Sequence, residues 1–312
     1  MKKNVFVIAS ATLILSLLAA CNTIKPTVMP TPTAVVMPTT GVNYHFVTNK
    51  LQIPTTQEQA QAFAVNVDGD PQGKPDNMFG GLFTLLTSVV PGIEMQSTLD
   101  QAVASGQLVA LHEVKADDPL NDPNVSWTIF QGQKPSSPPT FSGSDAFTLD
   151  PAATTNLPIV GSLANGHFNG GPGTAHIQMF FMGQLVDVNL VGVHLEADVT
   201  AQGCINGKLG GGVTNEEFKG KLLPAIAGGL NLLITTNKGG ANTLLQTFDA
   251  DKNGTITVQE IDNNPLLMLM ISPDLDLLDA SGNFNPNQDG VKDSYSLGLG
   301  FTCVPATFTA PQ

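Results

Sequence analysis

Between Val191 and Val199 the chain alternates strictly. Val191, Val193, Leu195, Ala197 and Val199 are apolar, with Gly192, His194, Glu196 and Asp198 between them. A period of two puts each set on its own side of a pleated strand, so the segment reads as half-buried sheet and not as amphipathic helix. Upstream, Ile177, Met179, Phe181 and Leu185 alternate with Gln178 and Gln184. The phase slips near Leu190–Val191, which predicts a bulge or turn there. Near the C-terminus, "SYSLGLGFTCV" puts Leu297, Leu299, Phe301 and Cys303 on one face. Shorter strand candidates are "FAVNV", "QLVALHEV", "VSWTIF" and "AFTLD".

A helical block interrupts this pattern. "TNEE" from Thr214 has the form of a capping box closed by Glu217. Phe218, Leu222, Ile226, Leu230 and Ile234 follow at spacing four as one apolar stripe, and Pro224 inside it should kink or divide the helix. A second helix is expected from about Asp76, with Phe79, Leu82, Phe83 and Leu86 on one side. The expected fold class is α+β, an antiparallel β-rich domain over residues 43–312 with a helical block at about 214–272.

Inside that block lies "DADKNGTITVQE", Asp249 to Glu260. It resembles the EF-hand calcium loop, which takes oxygen ligands from positions 1, 3, 5, 7, 9 and 12 and a glycine at position 6. Asp249, Asp251 and Asn253 fill the first three positions, and Gly254 supplies the turn. Thr255 gives its carbonyl, Thr257 stands at the water-bridged ninth position, and Glu260 is the bidentate twelfth. The resemblance implies Ca2+, because seven oxygens at flexible spacing suit the larger ion. Ile256, at position 8, is the apolar residue that in this family pairs with a neighbouring loop. The flanks depart from the family: the entering helix near "GANTLLQTF" is short, and the exiting one, opened by a capping box from Thr257 to Glu260, soon meets Pro265. No second full loop follows. Sensors work through paired hands that open a methionine-rich groove, so a lone hand implies a structural ion, with Met268 and Met270 as core fillers.

Two further stretches are similar to the calcium loops of thrombospondin type 3 repeats. "NVDGDPQGKPDN" offers Asn66, Asp68, Asp70 and Asp76 around Gly73, with one extra residue before the glycine. "NPNQDGVKDS" offers Asn285, Asn287, Asp289 and Asp293 around Gly290, with asparagine at two acidic positions. Asp274, Asp276 and Asp279 of "PDLDLLD" could lend carboxylates to the latter. Each stretch reads equally as an Asx-rich turn.

The first twenty residues have the form of a signal peptide, with "MKK" before an apolar run. The run ends in "LAAC", which resembles the lipobox of bacterial lipoproteins and implies lipidation of Cys21 after cleavage before it. Stable anchoring takes two or more acyl chains. Residues 21–42, rich in proline and threonine, read as a tether. Asn22 in place of an aspartate favours the outer membrane or cell surface. With Cys21 in the anchor, Cys204 and Cys303 remain as a candidate disulfide in an oxidising compartment; Cys204 is expected on the face opposite Ile205 and Leu209. Taken together, the acidic loops and "DGVKDSYSLGLGF" resemble a group of bacterial surface lipoproteins, which implies secretion and calcium binding.

Charge narrows the partners. The formal charge is −13, and the basic residues are all lysine. Without arginine forks or a basic patch, nucleic acid is not an expected partner; the membrane is, through the anchor. No G-x-S-x-G, H-E-x-x-H or Walker-type motif is present. The histidines, His45, His112, His167, His176 and His194, are dispersed, with His112 and His194 expected as structural residues on strands. The expectation is a non-enzymatic calcium-binding lipoprotein. Alternatives are a calcium-dependent glycan- or protein-binding module, using the Gly-rich loop Gly166–Gly173, or a secreted hydrolase.

Overall fold

Eight antiparallel strands close into a barrel in the order β1-β2-β3-β5-β6-β7-β8-β9. The computed structural model describes residues 41–89, 93–151, 157–181, 183–236 and 238–309. The signal peptide, Cys21 and the tether up to residue 40 fall outside the described residues. The strands are β1 (Val42–Gln52), β2 (Ala110–Ala116), β3 (Asp122–Gln131), β4 (Ala146–Thr148), β5 (Ile159–Ala164), β6 (His167–Phe181), β7 (Gln184–Thr200), β8 (Gly203–Thr214), β9 (Ser294–Pro305) and β10 (Thr307–Thr309). β4 and β10 form a small parallel pair.

The period-two runs face the barrel interior. Val193, Leu195, Ala197 and Val199 are buried, as are Val186, Val188 and Leu190, so the buried phase changes between Leu190 and Val193. The β7–β8 register shifts between Val191 and His194, which is the bulge the slipped phase predicts. Leu185 is exposed, contrary to expectation, because inward-facing β7 positions on that side of the bulge are even-numbered. In β9, Leu297, Leu299, Phe301 and Cys303 are buried on one face.

Other assignments change. "FAVNV" is no strand; only Val65 bridges, to Asp76. The Gly-rich stretch expected as a loop is part of β6, where the β6–β7 register shifts around Gly173. Cys204 and Leu209 are both buried while Ile205 is exposed. A register shift between Cys204 and Gly207 reverses the phase and brings Cys204 opposite Cys303, to which it is disulfide-bonded.

Helices complete the core. α1 (Gln57–Ala62) and α2 (Met78–Val89) are followed by α3 (Met95–Ala104). Phe79, Leu82, Phe83 and Leu86 of α2 are buried in the same core as Trp127 and Phe168 of the barrel wall. Full burial of each such side chain contributes about 1.5–3 kcal/mol. α3 touches both β1 and β6, which are four strands apart in an eight-strand ring, so it lies across a barrel mouth.

The second helical block comprises α4 (Asn215–Glu217), a π-helical turn (Phe218–Leu222), α5 (Leu223–Thr236), α6 (Lys238–Phe248), α7 (Val258–Asp262) and α8 (Pro265–Met270). Thr214 caps α4 by accepting the Glu217 N–H, but Glu217 turns its carboxylate to the main chain and amide of Asn189, so the box is half formed. Pro224 does not divide the helix. In the preceding π turn, the Leu223 N–H bonds to Phe218 O, and spacing-four residues stay on one buried face.

β8 also carries a second layer. A Cβ on Gly210 would stand 2.0 Å from the Val65 side chain, and one on Gly212 would stand 2.2 Å from that of Leu277. Their bare backbone lets Val65, Val67, Leu275 and Leu277 pack as a satellite cluster with Val191.

Candidate metal centre

The segment Asp249–Glu260 joins α6 to α7. α6 anchors one end through buried Leu244 and Phe248, and Ile261 buries the first turn beyond the other. Asp249, itself buried, accepts the N–H of Asn253 at 3.0 Å and of Gly254 at 2.8 Å. Asp251 accepts the same Asn253 N–H at 3.0 Å, and Asn253 Oδ1 accepts from Thr255 N at 2.8 Å. Gly254, at φ 86°, supplies the left-handed turn. These local bonds wrap the chain so that successive side-chain oxygens point inward.

Glu260 closes the loop. Its Oε1 accepts the N–H groups of Ala250 at 2.8 Å and Asp251 at 3.2 Å, while Oε2 accepts from Thr257 N at 2.8 Å. The Thr257–Glu260 capping box is fully formed, and the Thr257 hydroxyl is engaged in it, not turned out as a ninth-position ligand. The Thr257 N–H and hydroxyl hold the Glu260 carboxyl below the usual range. Ligand oxygens of Asp249, Asp251 and Glu260 all lie within 4.8 Å of one another. The three converging carboxylates form a hard, oxygen-only donor set. It suits Ca2+ or Mg2+ and not a thiophilic metal.

A residue outside the motif supports this loop. Asn231 of α5 accepts the Ile256 N–H at 2.8 Å and donates to the Ile256 carbonyl at 2.7 Å. Its signal in the sequence is a lone amide within the apolar run "AIAGGLNLLI".

The other two acidic stretches converge on each other. The Asn287 amide donates to the Asp68 carbonyl at 2.7 Å. Asn66 and Asp68 both accept the Asp70 N–H, and Asp70 accepts that of Gln72, which is Asx-turn bonding. Burial raises Asp76 to about 6 against a hydrogen bond from Val67 N, with the charges of Asp68 and Asp274 adding to the rise. Asp289 turns to Val291 N, and Asp293 accepts from Leu277 and Leu278 N–H groups, so Asp293 braces the segment. Asn285 is held through its own N–H to Leu277 O. Asp279 caps a separate turn by accepting from Ser281 and Asn283.

Met268 is not a core filler. It is 61% exposed and lines a groove of about 290 Å3 with Phe218, Leu223, Ile261, Leu267 and Tyr295. Inside the barrel, His112 is buried with both ring nitrogens engaged. Nδ1 accepts the Trp127 indole N–H at 3.1 Å, which leaves Nε2 to donate to Thr48 Oγ1 at 2.7 Å. A cavity of about 40 Å3 beside it has room for no more than a few waters. Among the described residues, no helix is long and apolar enough to cross a membrane. No protein-family model, curated protein or solved structure matches the chain.

Proposed function

We propose that the chain is a lipid-anchored, calcium-binding envelope protein whose Asp249–Glu260 loop is a lone EF-hand with one structural Ca2+. The observation that carries this reading is the convergence of Asp249, Asp251 and Glu260 within 4.8 Å, between two helices rooted in the barrel core. Asn231 supports the structural role, because it ties the loop to α5, where a mobile partner hand would be needed for sensing. The lipid anchor rests on "LAAC" and Cys21 alone. Ca2+ binding to the folded chain would stabilise it by mass action, ~3–4 kcal/mol when free ion exceeds Kd a hundred- to a thousandfold.

The test is calorimetric titration of the Cys21→Ser chain with Ca2+, alongside thermal melting. Binding heat and a rise in Tm are expected. Neither appearing at about 10 mM Ca2+, well above the millimolar range of extracellular hands, would refute the reading. Cys21 is tested separately by labelled palmitate, which should enter the wild-type chain and not the Cys21→Ser chain.

A second reading, calcium-dependent capture of a protein partner, is favoured by the Met268-lined groove beside α7 and α8. The Gly-rich stretch that also motivated a glycan- or protein-binding module is strand from His167 onward.

A further inference from the structure

One buried side-chain oxygen among the described residues has no hydrogen-bond partner, Oδ1 of Asp276. The residue is 2% exposed, flanked by the fully buried Leu275 and Leu277. An ionised carboxylate only accepts, and an oxygen stripped of water without a donor is costly. The rest of the residue is engaged. Oδ2 accepts the Gly290 N–H at 2.7 Å, and the main-chain carbonyl accepts the Asn287 N–H at 2.9 Å. Asp276 therefore sits beneath the arch from Asn287 to Gly290, whose two ends are both left-handed, at φ 58° and 73°.

Asp249 stands in the same relation to its own loop, with Oδ2 accepting from Gly254 at 2.8 Å. The difference is the route. Asp249 precedes its glycine directly in the loop, whereas Asp276 arrives at the "NPNQDG" arch from an adjacent extended segment. The missing first acidic position of that stretch is thus supplied in space.

We propose that Asp276 is the anchoring ligand of a second divalent-cation site, of the calcium type, in the seam between residues 66–76 and 273–294. The surroundings favour a cation over a neutral donor. The acidic 66–76 segment is joined to the arch across this seam, the Asn287 amide donating to the Asp68 carbonyl at 2.7 Å. No second trio of carboxylates converges among the described residues, so amide and main-chain oxygens and water would have to complete the shell. Such an oxygen-only set selects a hard cation. Bound there, it would pin the two segments to each other over β8. This site shares no residue with the Asp249–Glu260 loop.

The experiment is calorimetric Ca2+ titration of the full chain in detergent as wild type, E260Q, D276N and the double variant. Two sites are expected in wild type, one in each single variant and none in the double. Hydrogen exchange at the Asn287 and Gly290 amides should slow on adding Ca2+ in E260Q, and this readout decides if D276N fails to fold. An E260Q chain that binds no Ca2+ and shows unchanged exchange overturns the proposal. So does D276N raising Tm with the stoichiometry unchanged, which marks an unsatisfied carboxylate only. Loss of binding in D276N with none lost in E260Q would instead sink the Asp249–Glu260 reading and leave this one standing.

Discussion

The side chain of Asn231 makes two hydrogen bonds to the main chain of Ile256, one to its N–H and one to its carbonyl. In a paired hand, those two groups face the matching residue of a second loop. Here one amide on α5 meets both, and Ile256 is 2% exposed, so neither group is left bare in the interior. On the proposed reading of a lone hand, a helix supplies what a partner loop would otherwise give.

Asn231→Ala should therefore cost stability and calcium affinity together. A buried main-chain group left without a partner costs about 1–3 kcal/mol, and two are affected. We expect a loss of about 2 kcal/mol or more by urea denaturation, with Ca2+ affinity about tenfold weaker. Affinity equal to wild type, in a variant shown to be destabilised, would mean that the clamp serves the fold and not the loop.

Glu260→Gln separates the two roles of that residue. Glutamine at the third helical position can still complete a capping box, so α7 should persist. What is lost is one negative charge and the two-oxygen bite on a divalent ion. The expected outcome is a Tm modestly below wild type in chelator, because the oxygen that accepts from Ala250 and Asp251 is replaced by a donor, and a much smaller rise on adding Ca2+. An undiminished rise would exclude Glu260 as a ligand.

Much of this architecture is legible in the residue pattern, for local reasons. β7 and β9 declare themselves because the barrel wall buries alternate side chains, and α2 because Phe79, Leu82, Phe83 and Leu86 share a face. The Asp249, Asp251 and Glu260 cluster is legible because its three carboxylates lie in one short stretch of sequence. What escapes is non-local. β1 is masked by "VNYHFVTNKLQ", whose buried residues Phe46, Val47 and Thr48 run consecutively, since Val47 packs outward against Phe147 and Ala306. Barrel closure is set by the β1–β9 pairing, between segments some 250 residues apart, which no local pattern encodes. Asn231 and Asp276 gain their roles from chain segments distant in sequence.

The Cys204–Cys303 bridge closes a loop across neighbouring strands at a sequence separation of 99. In the chain-entropy model such a link restricts the unfolded ensemble by ~4–5 kcal/mol. The double variant C204A/C303A should lose up to about 4 kcal/mol against wild type in denaturant. An unchanged midpoint, with two free thiols detected in the native wild-type chain, would remove the bridge from the account.

His112 should make the barrel labile to acid. Burial lowers its pKa from 6.5 to about 3, so the native imidazole stays neutral, accepting from Trp127 and donating to Thr48. In the unfolded chain the same ring takes up a proton near its ordinary value. Between those two values the unfolded state binds the extra proton, so stability rises with pH. Its contribution is complete above about pH 6.5 and falls as pH drops towards 3, by up to about 1.4 kcal/mol per unit. His194 is also lowered by burial, opposed by Glu196, and adds in the same direction. Carboxylates held low, such as Glu113 and Glu217, give their own loss only nearer their ordinary range, while Asp76, raised to about 6, acts in the opposite sense at pH 5–6.5, so the effect of His112 is read from the difference between variant and wild type. His112→Asn keeps an acceptor for the Trp127 indole and cannot titrate. Urea denaturation across that window should show a shallower slope in His112→Asn than in wild type, by close to one proton at the acid end. Parallel slopes would place the acid sensitivity elsewhere in the chain.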